Sequence, residues 1–378
     1  MKASDIHIEP YEKSTRVRYR IDGILHEVMS PSPDQTRPLI SRLKIMADLD
    51  IAEKRRPQDG RIRVKSDSPA SVTGNHNEEE RTIDIRVSSL PTDFGEKIVL
   101  RILDKSQLQL DLGKLGFEEN HLAEFRKTIR LPYGMILVTG PTGSGKTTTL
   151  YAALNDINRP EINITTIEDP IEYNLKGINQ THVRADIGVT FAAALRSILR
   201  QDPNVIMVGE IRDAETAEIA IRAALTGHLV LSTLHTNDAP SAVTRLIDMG
   251  IEPFLVASSI KMILAQRLLR RLCGRCKKEL NPDKDILNEL GIKSPEHAAF
   301  YGPRGCSECS SFGYRGRTAV YEVLKIHNGF VEMITHGATA PQLREAASKE
   351  GMMTLRRAAL EKAMRGETSL DEVIRETV

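Results

Sequence analysis

The sequence predicts an α/β protein built on a parallel sheet, with a smaller α+β domain ahead of it and a small cysteine-bearing module within it. Three observations carry this expectation. From residue 116 onward the apolar runs "MILVT", "NITTI", "NVIMV" and "HLVLSTL" are separated by helical stretches, the pattern of strands covered on both faces. Before residue 105 the chain alternates apolar and polar residues in short runs, the period of half-buried strands. Two C-x-x-C pairs toward the C-terminus hold all four cysteines.

At 378 residues the chain exceeds one ordinary core, since cores stop growing beyond about 250 to 300 residues. The expected organisation is a first domain at 1–105, a linker at 106–115 and a main domain at 116–378. The main domain includes the cysteine module at 270–316 and a helical C-terminal region at 327–378.

Fifty-two basic against fifty-one acidic residues leave a net charge of +1, so no global field draws the chain to nucleic acid or anionic lipid. Any basic function is local. No apolar run approaches the roughly 18 to 20 residues that cross a bilayer, and "MKASDIHIEP" has no apolar signal core. The chain reads as soluble and cytosolic. Because it enters strand alternation directly, it also reads as a piece of something longer.

In the first domain, Val17, Tyr19 and Ile21 alternate with Arg16, Arg18 and Arg20, giving a strand with one apolar and one basic face. Asp22-Gly23 offers a turn into a returning strand "ILHEV", and "RTIDIRV" (81–87) and "EKIVLRIL" (96–103) supply further strands. The polar stretch "SDSPASVTGNHNEEE" (66–80) reads as a mobile loop. In the main domain, Phe191, Ala194, Leu195, Ile198 and Leu199 form one helical stripe. Asp213 is expected to cap a helix that runs to Thr226 and stops at Gly227, and Ser369 with Glu372 to form a capping box.

The stretch "GPTGSGKTT", Gly140, Pro141, Thr142, Gly143, Ser144, Gly145, Lys146, Thr147 and Thr148, carries the pattern G-x-x-x-x-G-K-[ST] between an apolar strand and a helix. Glycines let backbone N–H groups approach phosphates, Lys146 supplies charge near the β and γ positions, and Thr147 can hold Mg²⁺. The bland alternative is a glycine-rich turn. The later strands end in Glu168, Asp169 and Glu172 ("IEDPIE"), Glu210 ("GEIRD") and His235 ("LHTND"). Open parallel sheets bind ligands at that edge, so these residues read as one catalytic site rather than as solvated decoration. Glu210 stands where an acid is held near Mg²⁺, and Glu172 is suited to orient or deprotonate water.

Cys273-Gly-Arg-Cys276 and Cys306-Ser-Glu-Cys309 are separated by 29 residues and resemble the paired knuckles of a structural Zn²⁺ site. Four thiolates would close a tetrahedral shell and fold a module rather than do chemistry. The competing readings are a redox dithiol or four buried thiols. The face of Arg16, Arg18 and Arg20 is most simply a solvated hairpin, although arginines from a separate domain can stabilise a transferring phosphoryl group. His228 and His235 flank the last parallel strand, where the alternatives are a structural histidine or one that senses the γ-phosphate.

Taken together, "GPTGSGKTTTLY", "TTIEDPIEY", "NVIMVGEIRD" and "TGHLVLSTLHTND" resemble the four boxes of the GspE/PilB-type secretion ATPases, which power type II secretion or type IV pilus assembly. The resemblance continues through "ASDIHIEP", "RYRIDG", "PQDGR", "GEKIVLRIL" and "GYRGRTAVYEV", so it covers nearly the whole chain. It implies a RecA-like P-loop NTPase core, a PAS-like first domain and a zinc-held tetracysteine module. It also implies that Lys146 and Thr147 grip ATP and Mg²⁺, that Glu172 is the catalytic glutamate, and that Glu210 belongs to Walker B. By the same resemblance His228 and His235 follow the γ-phosphate, and Arg20 and Arg86 supply charge from the first domain. The family works as a homo-hexamer at the cytoplasmic face of the bacterial inner membrane, where it acts on a membrane-embedded platform protein and not on nucleic acid. Members usually carry a further N-terminal region that docks them there.

Related retraction ATPases usually lack the paired C-x-x-C motif, so the cysteines favour an assembly motor. "LPTDFGEKIVLRILDKS" looks more like the pilus branch and "DMGIEPFLVASS" more like the secretion branch, with the balance toward the pilus. Two rivals stand beside this reading. One is a RecA-like nucleic-acid translocase, for which 4% aromatic residues offer few stacking platforms. The other is a nucleotide-binding zinc scaffold without useful turnover.

Overall fold

The computed structural model describes residues 3–65, 82–103, 109–290, 292 and 299–377. They fall into two compact units, Met1–Leu108 and Gln109–Val378. The loop expected at 66–80 and residues 106–108 of the expected linker lie outside the described residues.

In the first unit the alternating pattern becomes a six-stranded antiparallel sheet with one helix. Its elements are β1 (Ala3–Pro10), β2 (Thr15–Ile21), β3 (Ile24–Met29), α1 (Pro33–Met46), β4 (Gln58–Lys65), β5 (Thr82–Thr92) and β6 (Gly95–Leu103), in the order β3-β2-β1-β6-β5-β4. Asp22 and Gly23, at φ 47° and 90°, make the tight turn that joins β2 to β3. Ile8, Val17, Ile62, Val87, Ile98 and Leu100 form the inward face and pack with Ile40 and Ala47. α1 starts from a capping box between Ser32 and Gln35, with Pro33 in the first turn. Lys44 reaches from it to Glu96 at 2.6 Å, deep inside the unit.

The opposite face carries the arginine stripe, which is less free than its sequence suggests. β1 lies beside β2 and places two buried carboxylates under it. Arg18 grips Glu9 through two hydrogen bonds of 2.8 and 2.9 Å, and Arg20 and Arg101 reach Asp5 at 3.7 and 3.0 Å. In register across the strands, Arg61, Arg86, Arg101, Asp5 and Arg20 form one row.

The second unit opens with a 3₁₀ turn at Leu112–Lys114, whose Leu112 is buried, followed by α2 (Glu119–Thr128). Then come β7 (Gly134–Thr139), α3 (Lys146–Ile157), β8 (Ile164–Glu168), β9 (Asn179–His182), α4 (Phe191–Ile198), β10 (Val205–Val208), α5 (Ala214–Leu225) and β11 (Leu229–Leu234). α6 (Ala239–Asp248), α7 (Pro253–Ser259), β12 (Ile260–Leu272), β13 (Lys278–Leu280), α8 (Lys284–Glu289), β14 (Phe300–Gly302) and β15 (Tyr314–Lys325) follow. The chain closes with α9 (Asn328–Thr335), α10 (Ala340–Lys349), α11 (Leu355–Met364) and α12 (Leu370–Glu376).

Seven strands form one sheet in the order β15-β12-β7-β11-β10-β8-β9, and all neighbours are parallel except β12 with β15. The sheet is therefore mixed, where the apolar runs alone predict a parallel one. The difference comes from β12, whose first half runs parallel to β7 while its length pairs antiparallel with β15. β7, β8, β10 and β11 are buried along their whole length, as strands covered on both faces must be. α4 buries Phe191, Ala194, Leu195 and Ile198 of the expected stripe, and Leu199 caps it.

Asp213 caps α5 by accepting the Thr216 N–H at 2.8 Å, and Gly227 beyond the helix takes φ 111°. At α12 only half of the expected box forms. Ser369 caps Glu372 N–H, but the Glu372 side chain turns away to Arg270 and Arg375 at 2.7 Å each. A buried carboxylate gains more from two guanidinium groups than from one backbone N–H. Among the described residues no helix is long and apolar enough to cross a membrane.

Candidate nucleotide site and cysteine cluster

The phosphate loop joins β7 to α3 at the carboxyl edge of the sheet. Gly140, Gly143 and Gly145 take φ of 147°, 82° and 88°, backbone that side chains disfavour. A Cβ on Gly140 would stand 2.5 Å from the Gln266 carbonyl and 2.7 Å from Ser144 Oγ, so the first glycine is required by space as well as by angle. Gly145 caps α3, whose first turn, Lys146, Thr147 and Thr148, contains no acid to compete for its N–H groups. That end of the helix is built for an anion.

Lys146 folds back over the loop and donates to the carbonyls of Gly140 at 2.8 Å and Pro141 at 3.0 Å. Burial brings its pKa down to about 8, against the favourable pull of Glu210 and with added repulsion from Arg267. Ser144 Oγ is buried in the same loop without a hydrogen-bond partner. A cation held by neutral carbonyls and an orphaned hydroxyl are what a loop shaped around phosphate leaves behind.

Glu210 follows β10 and lies beside this loop. It is held by Arg212 at 2.6 Å and faces His235 Nε2 at 3.6 Å, while Arg212 also reaches toward Asp169 at 4.0 Å. Burial and the nearby Lys146 charge lower the pKa of His235, opposed by Glu210. Thr139, the last residue of β7, binds Thr236 of the His235 loop through its hydroxyl at 2.7 Å, so phosphate loop and histidine loop are fastened together. The residues present thus fit Mg²⁺: the Thr147 hydroxyl stands at the helix start, and Glu210 offers a carboxylate close to Lys146.

Glu168 does not join this group, although the sequence places it among the acids. It is buried and accepts hydrogen bonds from Tyr151, from Thr166 at 2.6 Å and from Gln180 at 2.9 Å. Its role is to fasten α3 to β8. Glu172 lies four residues on, and its backbone N–H donates to the same Tyr151 hydroxyl at 3.3 Å.

The two histidines part company. His235 follows the carboxyl end of β11, but His228 precedes its amino end, where its carbonyl accepts the Gly134 N–H at 3.1 Å and its ring meets the Ala223 carbonyl. β11 has six residues, so roughly 20 Å of strand separates them. Within one chain His228 therefore lies at the edge away from the phosphate loop, contrary to the expectation that both histidines follow the γ-phosphate. Arg20 and Arg86 stand on the open face of the first unit, and Arg20 also donates to the Gly23 carbonyl at 2.8 Å.

β12 contributes residues that pattern reading passes over. Gln266 accepts from Thr149 at 2.8 Å, and Arg267 is buried behind Gly140. The available signal is a Gln-Arg pair inside the apolar run "IKMILAQRLL", since polar groups enter such a run only when something buried needs them.

The cysteines stand where the β12–β15 ladder ends. All four are free, and their sulfurs lie within 4.8 Å of one another. Cys273 and Cys306 are 3.9 Å apart, and Cys309 is 3.7 Å from both Cys276 and Cys306. Four sulfurs about 2.3 Å from a central Zn²⁺ would be about 3.8 Å apart, so the donor set fits that ion. Burial opposes ionisation of Cys309, but N–H donors from Cys306 and Gly313 outweigh it and bring its pKa to about 7. The neighbouring Cys276 is pushed up to about 12. Four touching sulfurs can all be thiolates only around a cation.

The family described as T2SSE, Type II/IV secretion system protein, matches residues 1–375. The chain is 56% identical over 379 residues to the type IV pilus assembly ATPase PilB of Myxococcus xanthus, covering 100% of this chain and 65% of that protein. It is 50% identical over 375 residues to the type II secretion system ATPase E of Vibrio cholerae, covering 99% of this chain and 72% of that protein. The chain thus spans a little under two thirds of the first of these relatives. Among solved structures, the pilus retraction motor PilT with bound ADP is similar at a TM-score of 0.62 and 26% identity, over 99% of this chain and 92% of that one. The Legionella pneumophila ATPase DotB shares the fold at a TM-score of 0.69 and 20% identity, over 99% and 91%. The chain belongs to the type II/IV secretion system protein family.

Proposed function

We propose that the chain is the ATP-hydrolysing part of a hexameric motor that drives assembly of a type IV pilus or a type II secretion pseudopilus. The observation that carries this reading is the phosphate loop with Glu210 and His235 gathered at one sheet edge, in a chain half identical or more to pilus and secretion ATPases along its length. The finer architecture we propose is a PAS-like domain at 1–105, a linker at 106–115 and a RecA-like core from 116. The core carries a zinc module at 270–316 and a helical region at 327–378.

In this mechanism the N–H groups of Gly143 to Thr148 and the Lys146 ammonium bind the β- and γ-phosphates. Thr147 and Glu210 would hold Mg²⁺, which when bound would supply neutralising charge to the phosphate oxygens. Glu172 orients a water and takes its proton as the new O–P bond forms, and the bond from the γ-phosphorus to the β–γ bridging oxygen breaks to leave ADP and phosphate. Arg20 and Arg86 complete the charge clamp from the first domain, and His235 couples the state of the γ-phosphate to Glu210. The motor acts at the cytoplasmic face of the inner membrane through a platform protein, without entering the bilayer. Closing and reopening of the subunits around nucleotide delivers the work.

The test is Glu172→Gln. ATP affinity is expected to stay within about threefold of wild type while turnover falls by about 10² to 10⁴. Unchanged turnover would remove Glu172 from the mechanism, and no turnover in the wild type despite tight ATP binding would favour a scaffold.

A further inference from the structure

Arg267 is a buried charge that the mechanism above does not use. It lies on β12 directly behind the phosphate loop and is 7% exposed. A Cβ on Gly140 would stand 3.3 Å from its Nη1, so the glycine leaves nothing between guanidinium and loop backbone. Nη1 donates to the Gln266 carbonyl at 3.2 Å and Nη2 to the Asn237 carbonyl at 3.1 Å. Among the described residues, its hydrogen-bond partners are all neutral oxygens. Glu376, Glu322 and Asp238 act on it only at longer range, and burial works against its charge.

A guanidinium buried without a carboxylate in contact is costly, and native proteins keep one only where something compensates it. Here a second buried cation, Lys146, lies close enough to feel its repulsion. Two cations gathered on one loop are relieved by an anion of more than one charge. The orphaned Ser144 hydroxyl in the same loop points independently to a ligand that is polar and close.

We propose that Arg267 is a fixed positive charge of the nucleotide site, acting through the phosphate loop to favour polyphosphate ligands over monophosphates. This rests on the reading of that loop as a nucleotide site. Arg267 touches no ligand in this scheme: it sets the field in which the loop N–H groups and Lys146 bind, and its effect grows with the charge of the ligand. A purely structural role, in which Arg267 only pins the Asn237 carbonyl, would affect all ligands alike.

The test is calorimetric titration of the full chain with a non-hydrolysable ATP analogue, ADP and AMP, for wild type, Arg267→Gln and Arg267→Lys. Arg267→Gln is expected to weaken the triphosphate by about tenfold or more, the diphosphate less and AMP hardly at all, as loss of a nearby unit charge at an effective dielectric near 20 requires. Arg267→Lys keeps the charge and is expected to hold all three affinities within about threefold. Equal losses for the three ligands in Arg267→Gln, no loss in Arg267→Gln, or losses beyond about threefold in Arg267→Lys, would overturn the proposal while leaving the nucleotide site intact. Should Arg267→Gln not fold, the Arg267→Lys titration decides by the same criterion. A wild type that binds none of the three would defeat the nucleotide-site reading itself, and this inference with it.

Discussion

Glu9 shows how much one residue's setting can depart from its sequence context. Burial alone would raise its pKa, but hydrogen bonds from Arg18 and Lys97 outweigh that and hold it at about 2, against an ordinary value of 4.5. A carboxyl whose pKa is depressed by folding contributes stability that is present above 4.5 and lost as pH falls through about 2. Denaturant unfolding is therefore expected to show a loss on the order of 2 kcal/mol from this group between pH 5 and pH 2, allowing for water around its partners. Glu9→Gln should remove that part of the acid dependence and lower stability at neutral pH. An unchanged acid profile in the variant would show that the Arg18 and Lys97 contacts contribute nothing. The sequence shows three arginines on one strand face but not the carboxylates beneath them, because β1 meets β2 only through strand pairing. For the same reason Lys146 and Glu210 were legible from motif and strand end, whereas Arg267 was not. Its neighbour Gly140 is 127 residues earlier in the chain, so the Gln266-Arg267 pair inside an apolar run marks a buried polar need without saying what meets it.

At the scale of elements, the apolar runs located the four buried parallel strands, and the Asp22-Gly23 turn located the β2–β3 hairpin. β12 escaped because a 13-residue run that serves as a parallel strand on one side and an antiparallel one on the other has no simple period. The cysteine cluster depends on that same ladder, since its knuckles sit where β12 and β15 part. Purified protein is expected to carry about one Zn²⁺ per chain, and a strong chelator is expected to lower its thermal stability. Metal-free protein with four titratable thiols and unchanged stability would contradict the zinc module. Register also explains the fate of His228, for two residues that flank a strand in sequence stand at opposite edges of the sheet.

At the scale of the whole molecule, the proposed motor requires more than one chain. In that proposal the charge clamp draws on arginines of the first domain, and work on subunits that close and reopen in a ring. This level is a proposal that rests on family resemblance, because composition and periodicity say nothing about subunit number. A net charge of +1 gives no reason to expect DNA or RNA to stimulate hydrolysis, and stimulation at low salt would revive a translocase. The most direct measurement of the central claim is phosphate release per subunit at increasing protein concentration, for wild type and Glu172→Gln. The account expects a rate per subunit that climbs with concentration in the wild type and is abolished by the substitution. A rate that is flat with concentration, or that survives in Glu172→Gln, would contradict an ATPase site completed by assembly.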